Sequence, residues 1–438
     1  MLDVTGRRDR RGRSRATTWV ALAFWALALL GGAQALAQGL PEGELRVGVI
    51  LPSAEASDND LGAAVARAAS QGAEMAADEF EFNADMLGID FGVLTQAASG
   101  AEAVVAAAAA LQADGAYGIV GGFVAAEAAA LAEWSARTGV PFLNVGASAD
   151  ALRGELCQPT VFHIEPSAAM YLDSMAGWYV RSGLRDWYFL HGDDDESRQQ
   201  LERVNATLRE RHFGARAVGE AVVAEGTDLA AVAERVKRAR ADLVVLLLPA
   251  ARQLEALSAL EQHGVEAMVT GFPYPEAQTR TFYDASRGAA PTLGAGHRIS
   301  AWEATLDAYG ARELNARYRM TYGEPMDAPA WAVYQGVKIF YEAAFFGGST
   351  SADDVLAYLA SPNAVFDVWK GIGTSFRPWD GQMRQSIYLV KVDATSETPF
   401  TFASLVGELP AIYMPGTEVV ERLDQIGDLQ GAGGCTRR

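Results

Sequence analysis

Cysteine is nearly absent. The 438 residues hold only Cys157 and Cys435, too few for a thiolate zinc site. The five histidines, His163, His191, His212, His263 and His297, form no H-x-x-x-H or H-E-x-x-H pair, which removes the common helical zinc-hydrolase pattern. No G-x-S-x-G elbow occurs, no G-x-G-x-x-G follows a strand, and no G-x-x-x-x-G-K-[ST] loop exists. Elbow hydrolysis, dinucleotide binding and P-loop phosphate binding therefore lack their sequence basis. Positive charge is also in deficit: 36 Lys and Arg against 55 Asp and Glu leave a formal net charge of −19. Such a chain repels nucleic acid and anionic membrane surfaces. No catalytic group, metal or cofactor is expected.

What is present is a globular composition, with 50% hydrophobic residues and a length that fits two domains plus extensions. Arginines 7, 8, 10, 11, 13 and 15 precede the apolar run TTWVALAFWALALL and then Ala35-Leu36-Ala37. A basic flank, a short apolar run and an A-x-A site read as a cleaved export signal over residues 1–37. The run is short for a membrane span of roughly 20 residues. The mature chain is expected to be a soluble monomer that does not insert in the membrane, and no cysteine follows the cleavage point to carry a lipid. Thiols oxidise outside the cytoplasm. One Cys157–Cys435 disulfide is the expected outcome, and two separate thiols are the alternative.

From residue 44 strands and helices alternate. ELRVGVILP is an apolar run, LGAAVARAASQGAEMAADEF carries apolar residues at helical spacing, and IDFGVLTQ reads as the next strand. AEAVVAAAAALQAD, AYGIVGG, AAEAAALAEWSARTG and VPFLNVG continue as helix, strand, helix, strand. Repeated βα units predict a parallel sheet with right-handed crossovers. After Cys157-Gln158-Pro159 and TVFHIEPS the alternation restarts, from AMYLDSMAGWYVRSG through DWYFLHG and ADLVVLLLP to EAMVTGF. A second run with its own turns predicts a second lobe. Further on, SFRPWDGQMRQSIYLVKV reads as a hairpin turning at Asp380-Gly381, with SIYLVKV as the returning strand. From Thr398 no long periodicity is present, and the stretch reads as an extension packed on the body.

Gly121-Gly122 lies between a strand and a helix, followed by Phe123, Val124, Ala125 and Ala126. With no lysine or hydroxyl to hold phosphate, the pair makes a tight turn and exposes backbone N–H groups at the helix start, where the macrodipole favours negative charge. Asn144-Val145-Gly146-Ala147-Ser148 comes after the next strand, and ligands of open α/β sheets collect at such strand ends. Both loops should face one crevice.

In order along the chain, LRVGVILP, GIVGGFVAAEAAALAEWSARTGVPFLNVGASADAL, VFHIEPS, WYFLHGDDDES, ADLVVLLLP, TGFPY and TYGEPMDAPAWAVYQGVKIFYEAA resemble the type I periplasmic solute-binding proteins of the branched-chain amino acid class, which feed ABC transporters. The stretches RGELCQPTVFHIEPSAAMYLDSMAGWYVR and SFRPWDGQMRQSIYLVKV look like the branch that accompanies PQQ-dependent alcohol dehydrogenase systems. The resemblance implies an α/β fold, periplasmic binding protein type I, with two Rossmann-like lobes, a hinge and an interlobe cleft. It divides the chain into a first lobe of residues 44–163 and 298–372, a second of 164–297 and 373–397, and an extension of 398–438. It also implies a periplasmic location, a small-molecule ligand and a permease partner; a sensor or accessory protein of an alcohol dehydrogenase system is the alternative.

The family's ligand loops carry over in part. Ala147 and Ser148 match the carboxylate-holding pair after the fourth strand, while Phe123 and Val124 occupy the third-strand loop where a hydroxyl is usual. In the second lobe the resemblance points to His191 through Ser197, including Glu196, without the usual aromatic. It points next to Pro249-Ala250-Ala251, and then to Phe272-Pro273-Tyr274 where an acid would hold an ammonium. A buried charge without partners costs several kcal/mol, so this set should not select a branched-chain amino acid. Phe123, Phe272, Tyr274 and Trp331 suggest a more aromatic pocket, although for any one aromatic residue core packing is the commoner role. Two acidic loops, Ser57-Asp58-Asn59-Asp60 and Asp193-Asp194-Asp195-Glu196, come after the first strands of the two lobes. They either meet across the cleft, favouring a cation, or are solvated rims.

Overall fold

A computed structural model describes residues 44–53, 60–411, 414–431 and 435. The expected export signal, residues 1–37, and Ser57-Asp58-Asn59 lie outside them. The first run comprises β1 (Glu44–Leu51), α1 (Asp60–Asp85), β2 (Asp90–Ala97), α2 (Ala101–Ala113), β3 (Ala116–Gly121), α3 (Ala125–Thr138), β4 (Phe142–Asn144) and β5 (Val161–His163). Its strands form one parallel sheet in the order β2-β1-β3-β4-β5. Every residue of β3 is buried, because helices cover both faces of a parallel sheet.

The second run comprises α4 (Ala168–Arg181), β6 (Asp186–His191), α5 (Asp195–Glu210), β7 (Arg216–Val222), α6 (Leu229–Ala239), β8 (Leu243–Leu247), α7 (Ala250–Gln262) and β9 (Met268–Gly271). It makes a separate parallel sheet, β7-β6-β8-β9. Each sheet with its helices is one lobe. The remaining elements are α8 (Arg280–Ala289), β10 (His297–Ser300), α9 (Ala311–Tyr322), α10 (Ala328–Gly347), α11 (Ala352–Ala360), β11 (Ile387–Val392), β12 (Ala403–Leu409) and α12 (Val419–Leu423). Helix α10 is buried along nearly its whole length and lies against α1 of the first lobe. Among the described residues no helix is long and apolar enough to cross a membrane.

One local expectation changes. Asp380-Gly381 does sit in a tight turn, where Arg377 N–H donates to Gln382 O at 2.8 Å and Phe376 bridges Met383. SIYLVKV does not return along that arm. Instead β11 runs antiparallel between β10 and β12 in a third sheet. Pro378 in the outgoing arm has no N–H to donate to a ladder, whereas His297–Ser300 offers a complete one. The aperiodic stretch after Thr398 thus supplies a paired strand.

The chain passes between the lobes three times: after β5, between β10 and α9, and between α11 and β11. Buried side chains tie these crossings together. Gln385 Nε2 donates to Ile164 O at 2.5 Å, and Lys370 Nζ donates to Ala301 O at 2.5 Å and to Gln385 Oε1 at 2.6 Å. Arg153 donates to Gln382 Oε1 at 3.0 Å and to Glu165 O at 2.7 Å.

Candidate ligand-binding site

Parallel strands that all point one way deliver their loops to one edge of each sheet. The loops after β3 and β4 of the first lobe and after β6, β8 and β9 of the second enclose a cavity of about 540 Å³, within the range of small-molecule sites. Its first-lobe wall is Leu61, Gly62, Phe123, Val124, Ala125, Gly146, Ala147 and Ser148; its second-lobe wall is Asp194, Glu196, Pro249, Ala250, Ala251, Tyr274, Pro275 and Glu276. A smaller space of about 210 Å³ shares Phe123, Val124, Pro275 and Glu276 and continues toward Ser99 and Glu127.

The glycines are there for shape. Gly122 sits at φ 78°, a left-handed value that side chains disfavour, and a Cβ on Gly146 would lie 2.8 Å from the Phe123 Cα. The two loops therefore touch, and the wall comes close to backbone. Asn144 builds the second loop, accepting from Ala147 N at 3.0 Å and donating to Ala147 O at 2.7 Å; Arg153 donates to the same carbonyl at 2.9 Å. The Ser148 hydroxyl lines the cavity and has no hydrogen-bond partner among the described residues. Val124, an apolar residue that is 48% exposed, faces the same space.

The second-lobe wall is acidic. Asp194 caps α5, accepting from Ser197 N at 2.8 Å and from Ser197 Oγ at 2.7 Å, and those bonds hold its carboxyl below the usual range. Burial, with Asp194, Asp150 and Glu276 nearby, pushes Glu196 up to about 7; burial also raises Glu276. Neither Glu196 nor Glu276 forms an ion pair among the described residues. The Tyr274 hydroxyl accepts from Gln200 Nε2 at 2.9 Å, which fixes its ring in the wall. Pro249-Ala250-Ala251 contributes little side-chain volume and so leaves room.

Of the residues expected from sequence, Phe123, Val124, Ala147, Ser148, Glu196 and Tyr274 line the cavity, and His191, Phe272 and Trp331 do not. His191 is turned to its own strand end, with Nδ1 at 2.7 Å from Gly192 O. Phe272 is fully buried behind Tyr274, with ring centroids 4.8 Å apart. Trp331 is fully buried in α10, stacked on Trp302 at 5.5 Å, with Nε1 donating to Val368 O at 3.2 Å. The acidic run splits: Asp195 pairs with Arg198, and only Asp194 and Glu196 reach the cavity. Glu276 was not among the expected residues. No acid stands directly after β9, but the tight turn Pro275–Gln278 brings one back to the wall. Pro275 with an acid beside it in a first turn is the signal that could have found it.

On the first crossing, Glu165 accepts from Tyr171 OH at 2.7 Å. Burial pushes its carboxyl up to about 8, against the pull of Tyr171, Arg153 and Lys370. A carboxyl raised in the fold contributes stability that is present below its unfolded value and is lost as pH rises through about 8. Glu165→Gln keeps the acceptor for Tyr171 and removes the titration. Urea melts between pH 5 and 9 should therefore flatten in this variant by up to about 1.4 kcal/mol per pH unit, and an unchanged slope would reject the assignment.

The match to known proteins agrees with this geometry. A family model described as periplasmic binding protein matches residues 44–397. No curated protein matches. Among solved structures, an amino acid ABC transporter substrate-binding protein from Pseudomonas fluorescens Pf-5 has a TM-score of 0.71 at 16% identity, covering 91% of this chain and 100% of that one. A branched chain amino acid ABC transporter periplasmic ligand-binding protein from Burkholderia xenovorans LB400 gives 0.72 at 15%, covering 83% and 95%. A solute binding protein of an ABC transporter from R. palustris, in complex with benzoate, gives 0.65 at 14%, covering 84% and 96%. Two parallel-sheet lobes, three crossings and an interlobe cavity accompany that match, and the chain belongs to the periplasmic binding protein family, whose model covers residues 44–397.

Proposed function

We propose that this protein captures a small molecule between its two lobes and presents it to an ABC transporter permease, and that the molecule is not a branched-chain amino acid. The cavity carries the reading: it lies between strand ends of both lobes, so a ligand touching both walls favours their closed arrangement. Among the described residues its first-lobe wall has one side-chain hydroxyl, Ser148, with Phe123 and Val124 where a second hydroxyl is usual, so a carboxylate there would depend on backbone N–H groups at the start of α3. Structural neighbours include one described as an amino acid transporter component and one holding benzoate, so the fold itself leaves the ligand open. Likeness to the quinoprotein-associated branch supports a role beside periplasmic alcohol oxidation, and a permease and ATPase gene pair next to this one would favour transport over sensing.

A thermal-shift screen against amino acids, amines, alcohols and aromatic acids tests the capture reading, since a ligand at 100 Kd stabilises by about 2.7 kcal/mol. The compound found should lose about 1 kcal/mol of affinity in Ser148→Ala. Equal affinity in wild type and variant would remove Ser148 from the site.

A further inference from the structure

The charges around the cavity are all of one sign. Asp194, Glu196 and Glu276 line it, and among the described residues no Lys, Arg or His does. Asp194 is occupied as a helix cap, but Glu196 and Glu276 stand without a counter-charge among the described residues. Beside them is the ring of Tyr274, and opposite them is an apolar surface of Leu61, Phe123 and Ala147. We infer that the ligand is an organic cation, a protonated amine carried on an apolar body, with the ammonium between Glu196 and Glu276 and the body against the first-lobe wall. This rests on the capture reading and adds the charge of the ligand to it.

The physical case has three parts. Two carboxylates in a shared, partly desolvated space repel each other, and a cation between them removes that repulsion and gains charge-assisted hydrogen bonds. An aromatic ring beside the carboxylates adds cation–π attraction. The space is also the wrong kind for a bare metal ion: it is about 540 Å³ with an apolar wall, and no group of three or more His, Cys, Asp or Glu among the described residues is placed to hold a metal. An anion such as benzoate would meet Asp194, Glu196 and Glu276 on the second-lobe wall.

Protonation gives an independent readout. Glu196 faces Asp194, Asp150, Glu276 and the Tyr274 ring; of these Asp150 is neutralised by Arg203 at 3.2 Å. A bound ammonium stabilises the charged carboxylate, so amine binding near pH 7 should release protons, and affinity should rise from pH 6 to pH 8.

The experiment is calorimetry of the purified protein with phenethylamine, butylamine and putrescine, against leucine, benzoate and calcium chloride. It is run at pH 6 and pH 8 on wild type, Glu196→Gln and Glu276→Gln, with a thermal melt of each free variant. The expected result is that amines bind more tightly than leucine or benzoate, more tightly at pH 8, and about ten-fold or more weaker in either variant. The free variants should melt no lower than wild type, since both substitutions remove a half-buried like charge. Leucine or benzoate binding more tightly than every amine would overturn the inference and leave the capture reading standing. So would calcium binding ahead of the amines, or amine affinity unchanged in both variants. No binding by any compound of either charge would overturn both.

Discussion

Cys157→Ser together with Cys435→Ser should lower the unfolding free energy by about 2–5 kcal/mol, read as a shift of the urea midpoint. The two cysteines are joined across 278 residues with Cα atoms 5.7 Å apart. A cross-link that closes so long a loop removes much freedom from the unfolded chain in the chain-entropy account. The disulfide is also the last of several attachments that strap the tail over both lobes. Asp424 takes Arg377 Nε at 2.8 Å and Arg384 Nε at 2.9 Å, and Arg377 donates to Ile426 O at 2.7 Å. Asp173 on α4 of the second lobe accepts from Gly427 N at 2.8 Å, while Arg203 on α5 joins Asp428 of the tail and Asp150 of the first lobe. The ionic attachments should hold the unlinked tail at low salt. Proteolysis of the tail in the double variant should therefore accelerate with added salt, and wild type should resist. An unchanged midpoint would show that the ion pairs alone carry the strap.

Arg280→Ala should destabilise the protein by about 3–5 kcal/mol. Arg280, at the start of α8, donates to both oxygens of Glu303 at 2.6 and 3.2 Å, and its backbone N–H donates to Asp327 at 3.0 Å. Glu303 is 0% exposed. Truncation leaves that carboxylate buried with, among the described residues, the Thr305 N–H and hydroxyl as its remaining partners, at 3.0 and 3.1 Å. The arrangement joins the second lobe to the crossing after β10 and to the N-terminus of α10, so the loss should also loosen the hinge. Replacing both partners by apolar residues, Arg280→Met with Glu303→Leu, should recover most of the stability, because no buried charge is then left over. Guanidinium melts of the single and double variants check the cycle. A double variant as unstable as Arg280→Ala would mean that geometry at the crossing, and not charge, sets the cost.

The glycine turn after β3 and the Asn144–Ser148 loop were legible because the physics there is local. A strand leading into two glycines and an alanine-rich helix has few conformations open to it, and the strand-end rule puts the loop of each strand at the crevice. Which of the four aromatics would be core was not legible, and Phe272 and Trp331 are. Phe272 stands in an expected ligand loop and Trp331 in a helical stretch, and only the segments packed against them decide that one lies behind Tyr274 and the other on Trp302. Glu276 shows the reverse failure. The family pattern looks for an acid directly after β9, and a short turn beginning at Pro275 displaces the acid along the chain while returning it to the same wall.

The sequence alone determined the two runs of βα units, the parallel order that they impose, the acidic character of the chain and the location of the crevice at the strand ends. These depend on periodicity, turn residues and composition, each readable within a window of a few residues. The tertiary structure alone decided that β11 pairs with β10 and β12 and not with its neighbour across Asp380-Gly381, that the tail straps both lobes, and that the charges lining the cavity among the described residues are carboxylates. Those outcomes depend on which distant segments meet. Ladder pairing, ion pairs and desolvation act between residues far apart in the chain, and no local pattern encodes their distance.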